Sequence, residues 1–153
     1  MILLLCLVIG LFAGLRSLMA PAITAWAAYL GWLTLERPLS LIGATPSVAL
    51  FTIAAAGELV LDKLPNAPNR TDALGVGARI ATGGLSAACV AASGGGSAWL
   101  GAVLGSVGGV VGCFAGYRAR TGLVKALGTP GMVVALVEDL VAIAGPLWVV
   151  SRF

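Results

Sequence analysis

The residues able to do chemistry in this chain are few, and the sharpest of them are acidic. Glu138 and Asp139 lie eight and nine residues into an apolar stretch that opens at Pro130 and runs to Val150. Glu58 lies near the end of an earlier apolar stretch, and Asp62 follows four residues later on the same helical face. A charge at the centre of a membrane helix costs about 2.5–3.5 kcal/mol on the insertion scale. Such a group is tolerated when it faces the protein interior and is paired, protonated or bound to a metal ion. Arg16, Arg118 and Arg79 are the candidate partners, because a guanidinium can hold a carboxylate through two parallel hydrogen bonds. Two readings follow. In one, these residues form a polar site where protonation or ion binding is coupled to movement. In the other, the ion pairs only fix helix register.

Glu58 and Asp62 repel one another if unpaired. Lys63 or Arg70 and surface water would relieve this, and so would a cation such as Mg²⁺ or Na⁺ held by oxygen ligands. The break from Gly14 to Pro21 contains Arg16 and Ser17 and offers free backbone N–H groups at a helix start. Such an end attracts anions, so it is either a site for an anionic solute beside Arg16 or a simple cap. Asn69 and Arg70, in the polar run Pro65–Ala73, join Arg79 as secondary candidates.

Composition removes many other chemistries. The chain has no histidine, which excludes His-based triads, HExxH zinc sites and most haem ligation. Cys6, Cys89 and Cys113 all sit in apolar stretches without metal-ligand spacing. No cofactor is expected, and the identity of any bound cation is open. A net charge of +3 scattered along 153 residues makes no case for nucleic acid. Hydrophobic residues make up 59% and charged residues 10%, with a mean hydropathy of +1.05. A soluble domain could not keep that much apolar surface out of water, so the expected partner is the lipid bilayer.

The elements that must position the candidates follow from the apolar runs. Long helices are expected over Ile2–Leu15, Pro46–Leu64, Leu74–Ser93, Ala98–Tyr117 and Pro130–Val150. Met1–Ala20 reads as a retained membrane helix rather than a signal peptide, because it lacks a basic leading region. The run after Pro21, to about Leu35, is short for a crossing and reads as re-entrant, interfacial or tilted. Arg118–Gly128 reads as a short basic amphipathic helix. If the run after Pro21 does not cross, Lys63, Arg70, Arg118, Arg120 and Lys125 share the cytoplasmic side with the N-terminus. If it does cross, the N-terminus lies outside. Gly101, Gly105 and Gly109, with Gly108, Gly112 and Gly116, give two stripes of small residues at four-residue spacing. Such stripes let helices approach closely, either inside the chain or between subunits.

An internal echo organises these pieces. Phe12-Ala-Gly-Leu-Arg16 recurs as Phe114-Ala-Gly-Tyr-Arg118, and Thr45-Pro46 before Glu58 recurs as Thr129-Pro130 before Glu138. The two Thr-to-Glu spacings, 13 and 9, differ by about one helical turn. With one crossing helix between the copies, this predicts an inverted repeat: residues 1–65, a linking helix 74–93, and residues 98–153.

The runs Gly14–Leu33, Gly57–Thr71, Ala78–Ala88 and Ala135–Gly145 resemble, in order and spacing, a bacterial membrane family known as domain of unknown function four-one-two-six. The resemblance implies an inner-membrane protein and places Arg16, Glu58, Asp62, Lys63, Asn69, Arg70, Glu138 and Asp139 in family motifs. It carries no activity with it. The expectation is one all-α, multi-pass membrane domain with about five crossings and one or two short helices, working as a homo-oligomer through helix 98–117. Its expected role is a small transporter or channel for an ion or small polar solute. The alternatives are a non-transporting scaffold and, third, a Mg-dependent intramembrane enzyme.

Overall fold

The computed structural model describes residues 1–63, 72–128 and 131–153. They form six α-helices: α1 Ile2–Leu15, α2 Met19–Tyr29, α3 Thr45–Leu61, α4 Ala73–Ser93, α5 Ala98–Leu127 and α6 Gly131–Val150. A 3-10 helix, Leu39–Gly43, leads into α3. No strand occurs among the described residues. The helix ends follow local chemistry. Pro46 opens α3, where its missing N–H costs nothing. The Ser97 hydroxyl accepts from Leu100 N at the start of α5. Gly128, at φ 58°, ends α5 in the left-handed conformation that glycine adopts without penalty.

Helices α4, α5 and α6 are long and apolar enough to cross a membrane. Helices α1 and α3 are apolar but shorter, and α1 and α2 reach only about 21 and 16 Å at 1.5 Å per residue. Large apolar side chains cover the outside, including Trp99, Val103, Val107 and Phe114 of α5 and Leu136 and Leu140 of α6. This outward apolar surface is what a bilayer solvates and water does not.

Successive helices alternate in direction. Gly94 touches Ile2 and Phe153, and Thr34 N donates to the Ser93 hydroxyl at 3.1 Å, so Met1, Thr34, Ser93 and Phe153 mark one end. Arg16, Ser17, Glu58 and Asp139 meet away from it, where α1 stops and α5 continues from Gly116 to Leu127. Helix α1 runs away from the first end and α2 runs back to it. The segment after Pro21 is therefore the return arm of a helical hairpin.

That reversal corrects the expected inverted repeat. Leu7, Leu11 and Leu15 of α1 pair in rising order with Gly108, Gly112 and Gly116 of α5, so α1 and α5 run parallel. The two Phe-Ala-Gly-x-Arg segments lie side by side and point the same way, whereas an inverted relation needs them opposed. The second segment does not end a helix either. Helix α5 passes through Arg118 without a break, in place of the short helix expected there.

The glycine stripes make these contacts. Gly101, Gly105 and Gly109 meet Ala87, Gly83 and Arg79 of α4, and Gly108, Gly112 and Gly116 meet α1. A Cβ on Gly14 would lie 2.5 Å from Cys113 N, and one on Gly109 2.5 Å from Arg79 O. Both glycine faces of α5 are thus filled inside the chain, which leaves neither for the subunit contact expected of them.

Candidate ionic site at the hairpin tip

The site is built where α1 stops. Arg16 leaves the helix with φ −137° and ψ 113°, and α2 begins three residues later. Such a break strands backbone groups that neither helix can satisfy. The stranded amides point to Glu58 on α3. Its Oε1 accepts from Ser17 N at 2.9 Å and from the Ser17 hydroxyl at 2.6 Å, and its Oε2 accepts from Leu18 N at 2.8 Å. The expected anion site at the start of α2 is therefore filled by the protein's own carboxylate, in the place a helix dipole favours. On the carbonyl side, buried Arg79 of α4 donates from Nε to Gly14 O at 2.9 Å and from Nη1 to Gly75 O at 2.8 Å.

Arg16 itself turns inward, and its side chain is 1% exposed. Its Nε donates to Asp139 Oδ1 at 2.8 Å, its Nη2 reaches the same oxygen, and its Nη1 reaches Asp62 Oδ2. One guanidinium thus ties α1 to α6 and to the end of α3. Asp139 Oδ2 is buried without a hydrogen bond among the described residues, and the Lys63 ammonium lies 3.4 Å from it. Glu58 and Asp62, four residues apart, are relieved of mutual repulsion by different donors: backbone amides for one and Arg16 for the other. No group of three His, Cys, Asp or Glu residues converges as metal ligands among the described residues.

The residue before Asp139 on α6, Glu138, points to a different side of the helix and faces Arg120 of α5 at 3.7 Å, with side chains 9% and 30% exposed. The four carboxylates Glu58, Asp62, Glu138 and Asp139 and the four cations Arg16, Lys63, Arg79 and Arg120 therefore share one level of the bundle. Of the residues expected from sequence, Arg16, Ser17, Glu58, Asp62, Arg79 and Asp139 are brought together, with Glu138 beside them. Arg118 is not; it is exposed on the outside of α5. Asn69, Arg70 and the Thr129-Pro130 pair lie outside the described residues.

Lys63 was expected only as a counter-charge for Glu58 and Asp62, whereas it lies beside Asp139, and Arg120 was not expected in the site at all. Arg120 had a signal: it continues the four-residue steps of Gly108, Gly112 and Gly116 by one more turn of an unbroken helix. The expected helix end at Tyr117 hid it.

Searches against curated proteins and against solved structures each return no match. A family model described as "Domain of unknown function (DUF4126)" matches residues 3–151. With nearly the whole length matched and the quoted motifs in place, the chain belongs to that family.

Proposed function

We propose that this protein is a small transporter or channel for an ion or small polar solute, with the Arg16–Asp139 couple as its working element. The observation that carries the proposal is a division of labour among the charges. Glu58 and Arg79 bond main-chain groups at the break, so the fold requires them. Arg16 bonds carboxylates alone, and Asp139 keeps a buried oxygen beside the part-exposed Lys63 ammonium. A buried ion pair is a poor source of net stability, because desolvation offsets its attraction. Ionisable groups at membrane depth, when not needed for folding, mark ion and proton pathways. A proton or small cation taken up at Asp139 would loosen Arg16 and with it the hairpin tip.

The topology belongs to the same proposal. Helices α3 to α6 cross the bilayer, and the α1–α2 hairpin enters from the face opposite Lys63, Arg118, Arg120 and Lys125. The positive-inside rule makes that basic face cytoplasmic in a bacterial inner membrane. Self-association would use the exposed Val103, Val107, Val111 and Phe114 face of α5 rather than its glycines.

A sealed Arg16 also favours the scaffold reading, since a side chain 1% exposed meets no solute in this state. Flux decides between them. Purified protein in liposomes is screened for proton, Na⁺, K⁺, Mg²⁺ and small-acid movement. The expected result is a flux that Asp139→Asn and Glu138→Gln abolish while size-exclusion profiles stay unchanged. Flux that is absent for every solute, or unchanged in both variants, removes the transporter reading.

A further inference from the structure

Helices α5 and α6 are consecutive, yet they touch little. Between them lies a cavity of about 380 Å³, within the range of small-molecule sites. Its walls are apolar: Leu15, Leu123, Val134, Val137 and Val141, with Gly116 and Ala119 leaving the space open. Its charged groups are Arg120 and Glu138. Both helices are long enough and apolar enough to cross a membrane, so what fills a gap on their outer side is lipid rather than water.

Arg120 selects which lipid. Its guanidinium carries five donors in a planar fork. Among the described residues its one charged partner is Glu138, at 3.7 Å, which is beyond hydrogen-bond length. The side chain is 30% exposed into the groove mouth. One edge of the fork can keep Glu138 while the other takes two phosphate oxygens, the bidentate geometry that arginine suits. The nearby cations Arg118 and Lys125 are exposed on α5 but do not line the groove; they add attraction for an anionic surface without a place in the site.

We propose that the α5–α6 groove binds one anionic phospholipid, its acyl chain against Leu123, Val134 and Val137 and its phosphate on Arg120. This groove does not contain the Arg16–Asp139 couple; it shares Glu138 with the flux test, but the variants that test it leave Glu138 in place, so lipid retention is read independently of any solute flux.

The test is native mass spectrometry of the full chain released from detergent. Phosphatidylglycerol is titrated against phosphatidylcholine of the same chain length. Wild type should retain the anionic lipid about five-fold better, the size of effect one interfacial arginine supplies. Arg120→Gln should erase the preference. Val137→Trp, which fills the groove, should reduce retention of both lipids. Lys125→Gln, an equal loss of charge away from the groove, should leave the preference in place. Equal retention of both lipids by wild type overturns the proposal. So does an Arg120→Gln result no different from Lys125→Gln, which would mean attraction to a basic surface only. Circular dichroism of each variant confirms that helix content is kept, and inorganic phosphate added alone should not compete, since the chain contributes to binding.

Discussion

Removing Arg16 should destabilise the protein far more than removing Arg16 and Asp139 together. In wild type the guanidinium donates twice to Asp139 Oδ1 and once to Asp62 Oδ2, and its side chain is 1% exposed. Arg16→Met keeps most of the volume and deletes all three bonds. Asp139, 10% exposed at its side chain, then stays buried with Lys63 3.4 Å from its other oxygen as its remaining cation. Breaking a buried pair from one side costs about 3–5 kcal/mol, because the surviving charge is left without compensation. Lys63 is one-third exposed and recovers part of this, which places the expected loss at about 3 kcal/mol. Adding Asp139→Met removes the stranded charge, and the two methionines fill the gap with apolar atoms. Asp62, 19% exposed, can turn outward. The double variant should lie within about 1 kcal/mol of wild type, since replacing a buried pair by apolar groups is often neutral. The readout is reversible unfolding in detergent micelles followed by circular dichroism, with the coupling energy taken from the four-member cycle. A double variant as unstable as Arg16→Met alone would refute the reasoning, and so would a single variant within the error of wild type.

Two further outcomes test the packing around the site. Gly57→Ala and Gly77→Ala, at helical positions where an added Cβ meets nothing within 4 Å, should each stabilise by about 0.5–1 kcal/mol, whereas Gly109→Ala places its Cβ 2.5 Å from Arg79 O and should lower the melting temperature or prevent folding. Glu58→Gln keeps one acceptor oxygen for Ser17 but turns an amide N–H₂ toward Leu18 N; hydrogen exchange at Ser17, Leu18 and the first turn of α2 should accelerate by roughly 10- to 150-fold, the range that a lost charged bond of about 1.5–3 kcal/mol makes available, with exchange in α4 unchanged.

What the sequence disclosed and what it hid have separable causes. Apolar runs and Pro, Gly and Ser boundaries are local signals, so α3, α4 and α6 were legible to within a few residues. Acids at helical depth were legible because their insertion cost demands a reason. The direction of α2 was not, since eleven apolar residues fit a re-entrant, interfacial or returning helix equally well. That one ambiguity propagated. It set the relative orientation expected of the two repeat copies, and it decided on which side of the bilayer the N-terminus was expected. The glycine stripes announced close packing but not their neighbours, because small residues fit any helix that can approach. Pairings such as Arg16 with Asp139, 123 positions apart, depend on three-dimensional register and left no mark in spacing.

The break after α1 separates two kinds of charge that look alike in sequence. A chain that reverses between two packed apolar helices exposes carbonyls at the end of one helix and amides at the start of the next, and neither can be left without a partner in an apolar interior. Arg79 answers the first and Glu58 the second. Both sets of bonds follow from the fold, so losing either residue should harm folding before it harms any activity. No stranded main-chain group needs Arg16, since its bonds run from one side chain to others. A chain that wanted only a stable hairpin tip could have placed leucine there and at 139, at lower desolvation cost. The retained charge therefore asks for an explanation outside stability, and the near-neutral double variant gives it a direct measure. If Arg16→Met with Asp139→Met folds as well as wild type and also abolishes flux, the couple serves movement. If it folds as well and carries the same flux, transport runs elsewhere or does not occur.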